Sequence, residues 1–121
     1  MSQRILVVED QEDNRRILRD LLVASGYELV EATTGEEGLT LAERETPDLI
    51  LMDIQLPGLD GYEVTRRVKA NPALKHIPII AVTSYALSGD DQKAFAAGCD
   101  GYVTKPFSPR QLLGKIREYL K

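Results

Sequence analysis

Several residues able to do chemistry stand at the ends of short apolar runs. Glu9 and Asp10 close Ile5-Leu6-Val7-Val8, and Asp53 closes Leu49-Ile50-Leu51-Met52. Thr83 follows Ile79-Ile80-Ala81-Val82, and Lys105 follows Tyr102-Val103-Thr104. Three carboxylates gathered in one place would repel one another strongly and would not all stay ionised unaided. A hard divalent cation resolves that conflict. Mg²⁺ favours oxygen ligands, keeps several waters and uses one or two carboxylates together with phosphate oxygens. The Thr83 hydroxyl and the Lys105 ammonium suit the remaining oxygens of a phosphoryl group. Asp53 then has a role open to it as a carboxylate nucleophile that takes up a phosphoryl group as an acyl phosphate. Such a transfer is catalysed mainly by positioning and charge neutralisation.

Each of these residues also has a plainer reading when taken alone. Asp53 could open the turn into Pro57-Gly58, and Glu9-Asp10 could be helix-capping acids. Thr83 could be a strand-end residue bonded to nearby backbone, and Lys105 before Pro106 a solvated turn lysine. The chemical reading holds only if the elements bring all of them to one edge.

The elements do predict this. The apolar runs at Ile5–Val8, Leu49–Met52 and Ile79–Val82 suit strands buried on both faces, with shorter strands around Leu29-Val30 and Tyr102-Val103. Asp13 to Ser25 carries Asn14, Ile17, Leu18, Leu21 and Leu22 at helical spacing, with Arg15, Arg16, Arg19 and Asp20 elsewhere and Gly26 as the stop. Thr34-Gly35-Glu36-Glu37 has the form of a capping box, with Glu37 expected to reach back to the cap, and the helix it opens runs to about Glu45. Gly38 inside that helix should cost about 1 kcal/mol relative to Ala. Asp60 caps a helix with Val64 and Val68 facing inward, ended by Asn71-Pro72. Ser88 to Ala97 predicts a weaker helix with Phe95 as its one bulky inward candidate. Ser108-Pro109 opens the last helix, with Leu112, Leu113, Ile116 and Leu120 as its buried stripe. Five strands alternating with five helices predict one α/β domain over residues 1–121: a doubly wound parallel sheet of the flavodoxin-like order 2-1-3-4-5. In that order strands one and three are neighbours, and the crevice between their carboxyl ends is the expected site.

Composition narrows the function classes. The net charge of −4 argues against a nucleic-acid surface. Cys99 is the only cysteine, so no internal disulfide can form, which fits a reducing compartment. No apolar targeting segment precedes Ile5, and no run approaches the length needed to cross a bilayer. The expectation is a soluble cytoplasmic protein without nucleic-acid or membrane partners.

Taken together, the block Val7-Val8-Glu9-Asp10, the block Leu51 to Gly61 with Asp53-Ile54-Gln55-Leu56-Pro57-Gly58 inside it, Ala81-Val82-Thr83-Ser84 and Tyr102-Val103-Thr104-Lys105-Pro106-Phe107 resemble the receiver domain of two-component response regulators. The resemblance covers the whole chain. It implies Asp53 as phosphoacceptor and Mg²⁺ held by Asp10, Asp53 and the Gln55 main-chain carbonyl, with Glu9 acting largely through water. It implies Thr83, Ser84 and Lys105 as phosphate contacts, a cis bond between Lys105 and Pro106, and Tyr102 as the aromatic that turns inward as Thr83 moves. Glu9 replaces the commoner Asp and Ser84 the commoner Ala. Tyr85, two residues past Thr83, sits where the family tunes the lifetime of its phosphate, and its bulk is expected to slow hydrolysis. The surroundings Val82 to Ala86 and Lys105 to Phe107 resemble the single-domain cell-cycle regulators of the DivK type. Met1 close to the first strand favours a natural start, and no output module is expected after the last helix. Implied partners are a histidine kinase or phosphotransfer protein as donor. The downstream protein would dock on the fourth helix, fifth strand and fifth helix, around Ser88, Lys93, Tyr102 and Arg110. The chain would be a monomer or a phosphorylation-dependent dimer, and no enzyme beyond its own phosphorylation and slow dephosphorylation.

Other classes fit less well. A haloacid-dehalogenase-type phosphatase needs a second Asp two residues after the nucleophile, and that place is Gln55. A nucleotide or flavin binder would want a Gly- or Ser/Thr-rich loop after strand one, where this chain has Glu9 to Asp13. A receiver cut from a longer hybrid kinase is the remaining alternative. His76, the sole histidine, precedes strand four at the far end of the sheet from Asp53, so a phosphodonor must come from outside.

Overall fold

The structure is a computed structural model that describes residues 3–83, 90–105 and 107–120. The elements follow the expected alternation: β1 (Arg4–Val8), α1 (Glu12–Ala24), β2 (Glu28–Ala32), α2 (Gly35–Glu45), β3 (Leu49–Asp53), α3 (Gly61–Ala70), β4 (Ile79–Thr83), α4 (Asp90–Ala97), β5 (Gly101–Thr104) and α5 (Pro109–Tyr119). The strands form one parallel sheet in the order β2-β1-β3-β4-β5, as the sequence predicts. Ile5 pairs with Leu49 and Val8 with Met52, which sets β1 and β3 side by side with their carboxyl ends level.

Alternation along each strand divides the core into two layers. Ile5, Val7, Leu49, Leu51, Ile80, Val82 and Val103 pack with Leu18 and Leu22 of α1 and Leu112 and Ile116 of α5. Leu6, Val8, Ile50, Met52, Ile79 and Ala81 pack with Leu41, Val64, Val68 and Ala94 on the other face. All five residues of β3 and of β4 are buried, which is why these strands read as unbroken apolar runs.

Among the described residues, three helices start at side-chain caps. Thr34 Oγ1 accepts from the Glu37 amide at 3.1 Å, Asp60 Oδ1 from the Glu63 amide at 2.9 Å, and Ser108 Oγ from the Gln111 amide at 3.0 Å. Glu37 reaches back one residue further than expected, its Oε1 accepting from the Thr33 amide at 2.6 Å. Gly38 is explained by packing. A Cβ there would lie 2.9 Å from Val8 Cγ2, so the helix gives up propensity to let α2 lie close on β1.

Two expectations about inward faces need correction. Phe95 is 49 % exposed, and α4 packs through the small residues Ala94 and Ala97 instead. On so short a helix the apolar period cannot rank an aromatic against alanines, and the close approach of α4 favours the smaller side chains. Ile17 likewise is exposed, while Leu18 and Leu22 carry the buried stripe of α1. The expected start of α4 at Ser88 lies outside the described residues. Among the described residues, no helix is long and apolar enough to cross a membrane.

Candidate functional site

The two-residue period of the strands runs on past their ends and aims the site. Val7 and Glu9, Leu51 and Asp53, and Val103 and Lys105 are each two residues apart, and each apolar member belongs to the layer packed by α1 and α5. The ladder is extended to hold them there. The Glu9 amide donates to the Ala32 carbonyl at 3.0 Å, the Ile54 amide to Val82 at 3.2 Å and the Lys105 amide to Thr83 at 2.6 Å. Glu9, Asp53 and Lys105 therefore emerge on one side of one sheet edge, across the crevice where the chain turns opposite ways from β1 and β3.

There the structure brings Glu9, Asp10 and Asp53 together, one carboxylate oxygen from each lying within 4.8 Å of the others. Glu9 and Asp53 are buried and Asp10 is half-buried. Glu9 is held on both oxygens: Lys105 Nζ donates to Oε1 at 2.6 Å and the Gln11 amide to Oε2 at 3.1 Å. Asp53 Oδ1 accepts from the Gln55 amide at 3.0 Å, a local turn that ties the Gln55 backbone beside the acid. Among the described residues, Lys105 is the one cation in ion-pair contact with these acids. Three negative charges thus face one positive charge, a formal excess of two in a largely buried place. That excess, and an all-oxygen donor set, fit a hard divalent cation of the Mg²⁺ type.

Around this cluster, Thr83 is buried at the end of β4, beside Thr104 and two register steps from the Ala81–Tyr102 pair, on the same face of the sheet. Tyr102 is half-buried and packs against the core. The acids are backed from behind by α3. A Cβ on Gly61 would overlap the Asp53 carbonyl and lie 2.7 Å from Ile54 Cα, so only glycine lets the α3 N-terminus press on this strand exit. Ser84, Tyr85 and Pro106, and with them the expected cis bond, lie outside the described residues. His76 is exposed just before β4, at the other end of the sheet from Asp53.

Arg15 was not foreseen at the site. Its place among the polar residues of α1 suggests an outer face, yet its side chain is only 14 % exposed and Nη1 donates to the carbonyls of Glu9 at 3.0 Å and Asp10 at 3.1 Å. Helical period alone gives no sign of this, because Arg15 turns back around the start of its own helix. An open groove of about 550 Å³ runs along the edge of β2 past Arg4, Val23, Tyr27 and Glu45, away from the acids. A metal and a phosphoryl group need a charged surface notch rather than volume, so the groove does not compete for this role.

Comparison with known proteins agrees with the geometry. The family model described as the response regulator receiver domain matches residues 5–117. The chain is 46 % identical over 120 residues to the polar-differentiation response regulator DivK of Brucella ovis, covering 99 % of this chain and 98 % of that one. Among solved structures it resembles the receiver domain of a sensor histidine kinase from Pseudomonas aeruginosa, whose structure has a magnesium ion coordinated in the active-site cleft (TM-score 0.92, 37 % identity, 99 % and 98 % of the two chains). It also resembles a CheY-like receiver domain protein from Methanospirillum hungatei (TM-score 0.92, 36 % identity, 99 % and 94 %). With a five-stranded sheet in the order 2-1-3-4-5 and acids gathered at its β1–β3 crevice, the chain belongs to the response regulator receiver domain family of two-component signalling.

Proposed function

We propose that this protein is a single-domain response regulator in which Asp53 carries a transient phosphoryl group received from a phosphohistidine. The observation that carries the reading is the cluster of Glu9, Asp10 and Asp53 carboxylates within 4.8 Å, with Lys105 bonded to Glu9. In the reaction an Asp53 carboxylate oxygen bonds to phosphorus as the bond from phosphorus to the donor's imidazole nitrogen breaks. The electron pair leaves with the imidazole, and Asp53 becomes an acyl phosphate. The donor is a histidine kinase or a histidine phosphotransfer protein.

Asp10, Asp53 and the Gln55 main-chain carbonyl would hold Mg²⁺, with Glu9 reached through water. When bound, the ion supplies charge neutralisation beside acids that otherwise repel a phosphoryl group. The chain's own residues do the rest. Lys105 places a point charge on a phosphoryl oxygen, and the Thr83 hydroxyl and Ser84 amide donate to the others. Movement of Thr83 toward the phosphoryl group leaves space that Tyr102 fills by turning inward. That changes the surface of α4, β5 and α5 around Lys93, Tyr102 and Arg110, which a downstream protein reads. Such a chain works in the cytoplasm and catalyses only its own phosphorylation and slow dephosphorylation, the latter slowed by Tyr85.

The reading is tested by incubating the protein with Mg²⁺ and a small phosphodonor such as acetyl phosphate, then measuring intact mass. One added phosphoryl group is expected, absent with EDTA and absent in Asp53→Asn. A wild-type mass that never changes, or an Asp53→Asn variant labelled as fully as wild type, would refute it.

A further inference from the structure

The segment that carries Glu9 and Asp10 is gripped by a side chain outside the acidic cluster. One guanidinium nitrogen of Arg15 donates to two successive carbonyls, those of Glu9 at 3.0 Å and Asp10 at 3.1 Å. The other side of the same guanidinium faces β2, where its Nε lies 3.7 Å from Glu31 Oε1. Glu31 is itself fixed by a two-pronged contact from Arg19, with Nε on Oε2 at 2.9 Å and Nη2 on Oε1 at 2.8 Å. Glu31 is level with Val7 in the β1–β2 ladder, so the anchor belongs to the sheet rather than to the loop.

We infer that Arg15, braced by Glu31, is a positioning residue that sets the aim of the Glu9 and Asp10 carboxylates toward a divalent cation; this rests on the function proposed above. The peptide units after Glu9 and after Asp10 determine where those two side chains leave the backbone. Fixing both carbonyl oxygens to one planar group fixes the two units relative to each other. The carboxylate end of Glu9 is already held by Lys105 and the Gln11 amide. The Asp10 carboxylate has no hydrogen bond or ion pair among the described residues, so its direction depends on the backbone that Arg15 holds. Lysine could not substitute. Its ammonium is a point charge without a planar fork, and it cannot keep both carbonyls while facing Glu31.

Charge and geometry make opposite demands here, which makes the inference testable. A cation beside the acids weakens divalent binding through space, so if charge were the role of Arg15, its loss would tighten Mg²⁺ binding. Positioning demands the reverse. The experiment compares wild type, Arg15→Lys, Arg15→Met and Glu31→Gln by calorimetric titration with MgCl₂, with amide hydrogen exchange in EDTA alongside. Arg15→Lys keeps the charge and is expected to raise the Mg²⁺ Kd about tenfold, the low end of what loss of an outer-sphere partner does. Arg15→Met should also weaken binding, and Glu31→Gln should move the Kd the same way by less. In EDTA the Gln11 amide, bonded to Glu9, should exchange faster in Arg15→Lys than in wild type. Thermal unfolding confirms which variants are folded at the titration temperature, and Glu31→Gln carries the test if the Arg15 variants are not. Wild-type affinity and wild-type Gln11 exchange in the folded variants would overturn the positioning role alone, as would tighter binding in Arg15→Met. A wild-type protein that ignores Mg²⁺ would overturn the metal reading and this inference with it.

Discussion

Replacing Asp10 with Asn should make the metal-free protein more stable. Oxygens of Glu9, Asp10 and Asp53 lie within 4.8 Å of one another, and the Asp10 carboxylate makes no hydrogen bond or ion pair with any described residue. Two like charges at that separation repel by roughly 3.5 kcal/mol at an effective dielectric of about 20. Asp10 faces two acids, but it is half-exposed and shares the field of Lys105, so solvent screening and that cation remove much of the repulsion. A net gain of about 1–2 kcal/mol remains, which for a chain of this length is a rise in Tm on the order of 5 °C. The chain has no tryptophan, so unfolding is best followed by far-ultraviolet circular dichroism in urea with EDTA present. Saturating Mg²⁺ should reverse the order. At a hundred times its Kd a ligand stabilises the native state by about 2.7 kcal/mol, and the variant, short of one carboxylate, gains less. An Asp10→Asn protein less stable than wild type in EDTA would show that the three carboxylates are not in repulsive contact, and the site geometry would be wrong.

Two further perturbations test the packing. Burial raises the Cys99 thiol to about 11, with Thr65 3.7 Å away as its hydrogen-bond partner, so the group stays protonated near neutral pH. Labelling by a thiol reagent at pH 8 should be slow in the native protein and fast in urea; rapid native labelling would contradict the burial. Gly61→Ala forces a Cβ into the Asp53 and Ile54 backbone and should cost about 2–3 kcal/mol in urea unfolding, whereas Gly114→Ala, on an exposed turn of α5 with open space around it, should stabilise by about 0.5–1 kcal/mol. Equal effects of the two substitutions would remove the argument for close approach of α3 to the site.

Strand order and the shared edge at which the candidate residues emerge were legible in the sequence for one reason. In a parallel sheet buried on both faces, an acid, a hydroxyl and a lysine that each terminate an apolar run must all emerge at the same edge. Glu9, Asp53, Thr83 and Lys105 obey that rule, and so does the side on which Glu9, Asp53 and Lys105 appear, since each continues the alternation of its strand. Phe95 was misread because side-chain size decides the inward face of α4 only through how near the helix lies, a tertiary quantity. Arg15 was invisible for a related reason. Periodicity locates a Cα on a helix, while a long side chain in the first turn can fold back over the N-terminus to carbonyls the period does not reach.

These differences also separate the two acids that sequence shows as one dipeptide. Glu9 has every polar group engaged: its amide by Ala32, its carbonyl by Arg15, and its two carboxylate oxygens by Lys105 and Gln11. Among the described residues, Asp10 is held through its carbonyl alone. Each Glu9 carboxylate oxygen already accepts one bond and is fixed in place, whereas among the described residues both Asp10 oxygens are open to a cation. That contrast supports the proposed direct ligation by Asp10 with Glu9 acting through water, while the charge at the end of this buried strand is partly compensated. A fixed Glu9–Lys105 pair offsets part of it locally, and the two apolar layers of the sheet bear the rest.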